Sequence, residues 1–353
     1  MEQDDIKDGK NNGVAIAKGL TIILMVFGHT SCFEYANNYL LLMRMPLFFL
    51  MSGYCFKVKY LTNGSKYLKR RVTGIYLPYV KWALVFLCLH NFFLYINFYS
   101  PELLIHGKTM SRYEWHDFLM YGTAIILGMR GHETLLGGYW FLHDLFLGSL
   151  LFYFGLKLFK SRHLAAIIWF TIAVIFSFAG SFFENLINSH LFLAVFFITI
   201  GHCYRMDELR WAKEFWYIVS TAIAVFFVSL IWHSSMTTYV GWEVFPYSVC
   251  AVTGALMLFG IGEKISMHVG VLRNFLSYTG SKTFNILTWH LVSLKIVSVI
   301  IILLYSLPIQ QLAVFPIMKD FASMGWWIAY FVVGVGLPLI MSYYYDRIKL
   351  HMR

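Results

Sequence analysis

The chain has 353 residues, of which 59% are hydrophobic, 19% aromatic and only 13% charged. A soluble globular protein carries roughly a quarter charged residues, so this composition excludes an ordinary soluble enzyme and points to an integral membrane protein. The net charge of +10 is not a nucleic-acid footprint, because the basic residues flank apolar runs instead of forming one stripe interleaved with aromatics.

The first residues, MEQDDIKDGKNNG, are polar and acidic, with no cationic region ahead of a short apolar core. They read as a cytoplasmic tail (1–13) and not as a cleavable signal peptide. A crossing needs about 20 apolar residues. Segments 14–33, 40–57, 75–97, 139–157, 164–182, 189–204, 214–232, 246–262, 283–306 and 324–345 approach that length. They predict an all-α, polytopic membrane protein of about ten transmembrane helices, forming a single domain over 14–345 with a short tail over 346–353. Segment 118–129, FLMYGTAIILGM, is too short to cross and is expected to be re-entrant or interfacial.

Lys and Arg in the loops set the orientation. With the N-terminus inside, 21 of them fall on the cytoplasmic side, while Lys108, Arg112, Arg130 and Lys319 fall on the other. Both termini are therefore expected in the cytoplasm. The longest external stretch is then 98–138, polar and aromatic enough to contact a hydrophilic partner. The five cysteines are scattered singly with no metal-type spacing, so they read as packing residues and no metal is expected.

Within or near the ends of the apolar runs stand His29, Arg44, His90, His143, Asp144, His202, His290 and Lys295. Such residues are costly in hydrocarbon, so they line a polar cavity, find a partner in the bundle or do chemistry. Arg44 and Asp144 could neutralise each other, and Lys295 is explained by a partner on a neighbouring helix. His90 and His202, near span ends, read as interface residues. His29, closing the run GLTIILMVFGH, either satisfies a hydrogen bond near the interface or takes part in chemistry. Its spacing to Glu34, H-x4-E, is similar to the H-x4-D motif of soluble acyltransferases. Five residues on a continuous helix lie about 140° apart, so the pair could meet only if the helix ends near Thr30. Lys69, Arg70 and Arg71 close the cluster KYLKRR, which reads either as a topology or anionic-lipid signal or as a phosphate clamp.

Four stretches together resemble the integral-membrane acyltransferase 3 family, in family order. They are KGLTIILMVFGHT (18–30), RMPLFFLMSGYCFK (44–57) with YLKRRVTGIYLPYV (67–80), GGYWFLHDLF (137–146) and NILTWHL (285–291). The resemblance implies a multi-pass protein of the plasma (bacterial inner) membrane. Such a protein moves an acyl group, usually acetyl, from cytoplasmic acyl-CoA to a hydroxyl, often on an extracytoplasmic glycan or lipid-linked sugar. It makes His29 catalytic, with Glu34 grouped beside it. It assigns Arg70 and Arg71 to the acetyl-CoA or other acyl-CoA donor, and Lys69 is expected beside them; Arg44, Trp140, His143, Asp144 and His290 are the substrate-binding candidates. The implied partners are the donor, the acceptor and membrane lipids, with no nucleic acid and no metal.

Two departures stand out. The family often shows Arg-x-x-Arg before the third span, whereas Arg71-Val-Thr-Gly74 lacks the second arginine. Arg44 stands before Met-Pro where the family often has His or another uncharged residue, a difference of the kind that follows acceptor choice. The chemistry agrees with the resemblance. Neutral imidazole, with an ordinary pKa near 6.5, is the usual base for activating a hydroxyl, and the CoA phosphates belong at the cytoplasmic rim. Direct attack with His29 as base and an acyl-histidine intermediate both remain open. The rival readings are a transporter or flippase with an intramembrane polar pathway, and a non-catalytic sensor or assembly subunit on the same fold.

Overall fold

The computed structural model describes residues 12–31, 34–102, 110–159, 161–179 and 189–351. Among these the regular structure is entirely helical, with no strand. Apolar runs in a bilayer have no water to satisfy their backbone groups, and a helix pairs those groups within itself. Among the described residues four helices are long and apolar enough to cross a membrane: Thr134–Leu158, Gly241–Ser266, Thr283–Tyr305 and Lys319–His351. Asn12–Gly28, Arg162–Phe178 and Phe215–Ile231 are shorter apolar helices.

The helices follow the predicted segments with informative differences. The expected span 40–57 is two helices, Glu34–Leu41 and Arg44–Tyr54, broken at Leu42–Met43. Pro46 gives the reason. Inside a continuous helix its ring would clash with the carbonyl four residues back, at Leu42, but it is tolerated in a first turn, so a new helix starts at Arg44. Val271–Ser281 adds a helix outside every predicted span. The FLMYGTAIILGM run lies in Trp115–Gly128, 14 residues long, which at 1.5 Å per residue spans about 21 Å and falls short of a roughly 30 Å hydrocarbon core. That helix begins on a capping box, with Glu114 N–H donating to Asp117 Oδ2 at 2.9 Å, and stops at Met129 in the left-handed conformation, φ 50°.

The chain divides into two compact units. The first contains the described parts of Met1–Met25, Glu34–Leu68 and Asp144–Thr283. In it, Arg44–Tyr54 crosses Ser189–Met206 at two glycines. A Cβ on Gly53 would run into the Ile198 carbonyl, and one on Gly201 into that of Leu50. Gly19 and Gly280 make a second such crossing between Asn12–Gly28 and Val271–Ser281, against the carbonyls of Leu276 and Ala15. Between helices in lipid the hydrophobic effect is nearly absent, so close backbone approach through small residues supplies the dispersion that holds them.

The second unit contains the described parts of Val26–Phe33, Lys69–His143 and Phe284–Arg353. Buried tyrosines tie its helices together. Tyr79 donates to the Met129 carbonyl at 2.6 Å and accepts from the Gly131 amide at 2.9 Å. The Tyr139 hydroxyl lies 2.9 Å from Thr288 Oγ1. Lys295, fully buried, finds its partners on backbone and not on an acidic side chain of a neighbouring helix. Its Nζ donates to the carbonyls of Leu312 at 2.6 Å and Val314 at 2.7 Å. Irregular backbone at such depth needs donors as much as the ammonium needs acceptors, and each group satisfies the other.

Candidate active site

His29 stands just past the end of the first helix, which closes at Gly28. Its amide donates to the Val26 carbonyl at 2.9 Å, and that of Thr30 to Phe27 at 3.0 Å, so the helix tightens to a final turn. Ser31 then turns left-handed at φ 51°. The helix end is pinned by Phe27, whose ring meets Phe331 and Trp327 edge-on at 5.5 and 6.1 Å. The first helix thus stops before Thr30. Glu34 begins the next helix, and its side chain lies outside the described residues.

His29 is half-buried and faces His290, with ring centroids 5.4 Å apart and ring planes 34° apart. His290 is 1% exposed. Its Nδ1 lies 3.0 Å from the carbonyls of both Ile286 and Leu287. Both partners are pure acceptors, so Nδ1 carries the hydrogen, and in the neutral ring Nε2 carries the lone pair. Three consecutive residues of NILTWHL are fixed in different ways: Thr288 on Tyr139, Trp289 against Trp82 and Phe86 at 5.0 and 5.6 Å, and His290 against His29. Sequence stretches far apart in the chain, around His29, Tyr139 and His290, therefore converge within one unit.

The remaining expected site residues divide between the units. Trp140 and His143 are half-buried and belong to the second, with His29 and His290. Arg44 and Asp144 are buried in the first. They do not neutralise each other. Asp144 takes a short hydrogen bond from His190 Nδ1, and Arg44 Nη1 donates to Asn37 Oδ1 at 3.3 Å. Lys69, Arg70 and Arg71 close Gly64–Arg71, which runs on helically through Val72–Tyr76 into Leu77–Tyr95. Lys69 and Arg70 are exposed and Arg71 is half-buried. No group of three His, Cys, Asp or Glu side chains suited to a metal occurs among the described residues.

His90 and His202, expected to be interface residues, are buried within the protein. His202 is 5% exposed, edge-on to Phe56 and Phe152 at 5.5 and 5.6 Å. His90 is fully buried, with Nδ1 3.0 Å from Glu133 Oε1 and Nε2 2.9 Å from the Ser111 carbonyl. Tyr113 stacks flat on its ring at 3.4 Å, and the Tyr99 hydroxyl donates to Glu133 Oε2 at 2.8 Å. Burial, reinforced by the Glu133 charge, holds the Tyr99 phenol well above its ordinary range, so it remains a donor. This latch ties the segment after the third predicted span to that span. In sequence Glu133 reads as one of several polar residues of the 98–138 loop, and His190 as the polar start of an apolar run.

Residues 11–343 match the family model described as "Acyltransferase domain". No curated protein and no solved structure matches the chain.

Proposed function

The chain belongs to this acyltransferase family, and from that membership we propose that it moves an acyl group, most simply acetyl, from cytoplasmic acyl-CoA to a hydroxyl of an extracytoplasmic glycan or lipid-linked sugar. It is a membrane acyltransferase. The observation that carries the reading is the facing pair His29 and His290. His290 has its Nδ1 tied off by two carbonyls, so its neutral ring presents a lone pair at Nε2, while His29 stands at the end of its helix, half-buried.

In this reading His29 accepts the proton of the acceptor hydroxyl as that oxygen attacks the thioester carbonyl. The carbon–sulfur bond breaks, the acyl group stays on the oxygen, and the imidazolium returns its proton to the departing CoA thiolate. Such a base contributes about 10²–10⁴ in rate. His290, packed against it, holds its orientation. The exposed cations Lys69 and Arg70, with Arg71, supply donors for the CoA phosphates at the cytoplasmic mouth. The 21-to-4 bias of basic residues supports about ten crossings with both termini inside, in a plasma (bacterial inner) membrane.

The test uses the purified protein in nanodiscs, acetyl-CoA labelled in its acetyl group, and an envelope glycan fraction. The reading expects label on glycan together with free CoA, and an added acetyl mass on the glycan. Movement of a sugar across vesicles without any CoA requirement would replace it with the transporter reading.

A further inference from the structure

Arg44 carries its charge into the first unit at 7% exposure. Among the described residues its side chain donates to the neutral Asn37, and its Nε is buried with no hydrogen-bond partner. Within electrostatic reach lies Tyr247 of the helix Val244–Ser266. Tyr247 is fully buried, and its hydroxyl also has no partner among the described residues. Gly254 on the same helix lets Met43, the residue before Arg44, pack against it. Tyr239 stacks on Tyr247 with centroids 5.6 Å apart and lies within reach of Asp144. That carboxylate is engaged by His190.

Buried polar groups are nearly always hydrogen-bonded, and an uncompensated charge in an apolar bundle is costly. Here an arginine N–H and a phenol O–H share one neighbourhood. The guanidinium can only donate, its fork suits planar oxyanions, and the phenol beside it has its own hydrogen to give. The buried guanidinium charge favours an anionic acceptor over a neutral hydroxyl. We propose that Arg44 and Tyr247 form an oxyanion-binding site for a carboxylate or phosphate carried by the acceptor, which makes the acceptor an acidic or phosphorylated glycan. Naming the acceptor as the carrier rests on the acyltransferase reading, whereas the oxyanion site stands on its own geometry.

The experiment measures thermal unfolding of the full-length protein in nanodiscs with increasing glucuronate, glucose 1-phosphate or glucose, at constant ionic strength set with chloride. A ligand that binds only the folded protein raises its midpoint in a saturable way. The site predicts saturation with an anionic sugar and none with glucose. Saturation with glucuronate identifies the carboxylate, and saturation with glucose 1-phosphate the phosphate. Arg44→Gln should weaken the apparent affinity at least tenfold. Tyr247→Phe, which keeps the ring and its stacking on Tyr239, should weaken it several-fold even if the arginine variant fails to fold. His29→Ala should leave it unchanged. Anion binding by a protein that transfers no acyl group would support the site and strike only the enzymatic reading. Acyl transfer without saturable anion binding, or binding that both Arg44→Gln and Tyr247→Phe leave intact, would overturn the site.

Discussion

Replacing Glu133 by alanine should unlatch the segment that carries Ser111 and Tyr113. In the native protein His90 is fully buried and the Glu133 side chain is 2% exposed. Both imidazole nitrogens lie against acceptor oxygens, those of the Glu133 carboxylate and the Ser111 carbonyl. Removing the carboxylate takes away the acceptor that faces His90 Nδ1 and the Tyr99 O–H at a buried position. Each stranded donor costs about 1–3 kcal/mol, and breaking a buried ion pair from one side costs about 3–5 kcal/mol, so the two routes agree near 3–5 kcal/mol. At about 1.4 kcal/mol per decade, even 3 kcal/mol raises the local opening equilibrium by roughly 10². Hydrogen exchange of a peptide covering 110–114, measured on protein in nanodiscs, reads that opening directly. His90→Ala and the double variant complete a cycle in which contact predicts a coupling of about 0.5–3 kcal/mol. Unchanged protection in Glu133→Ala, or strictly additive single variants, would refute the latch.

Three further outcomes follow from the same geometry. Replacing Arg70 and Arg71 together by glutamine should raise the apparent KM for acyl-CoA with less change in kcat, because phosphate contacts are made equally in ground and transition states; steady-state kinetics in detergent separates this from an insertion defect. Cysteine at Lys66 should label only from the cytoplasmic side and cysteine at Arg112 only from outside, in a background that lacks the exposed Cys55 and Cys88. Gly201→Leu should lower thermal stability by about 1–3 kcal/mol or more, since its Cβ meets the Leu50 backbone and overpacking forces the helices apart; a thermal shift no larger than that of an exposed substitution would contradict the crossing.

The helical segments were legible because crossing hydrocarbon demands long apolar runs, and the described helices fall largely where those runs are. The break at Leu42–Met43 was not read, since 40–57 counts as one apolar run by composition; Pro46, which cannot sit inside a continuous helix, is its physical reason. Other features were not, for physical reasons. The partners of Lys295 are backbone carbonyls, and a sequence does not show which carbonyls an irregular segment leaves open. Asp144 and His190 lie 46 residues apart, and His90 and Glu133 lie 43 apart, so each half reads as an isolated charge until helix packing joins them. The nearest opposite charge by residue type, Arg44 for Asp144, was the wrong partner, because a histidine on a crossing helix came closer. His29 and His290 were each legible as histidines in distinctive contexts. Their meeting was not, since it depends on the first helix ending at Gly28 and on the aromatic packing around Trp289.

The central claim is that His29 takes the proton from the hydroxyl that receives the acyl group. The direct measurement is the single-turnover rate of acyl transfer by purified His29→Ala protein, beside wild-type protein with matched thermal unfolding. The account predicts a loss of about 10²–10⁴ in that rate, with acyl-CoA affinity little changed. A correctly folded His29→Ala protein that transfers the acyl group at the wild-type rate would contradict it.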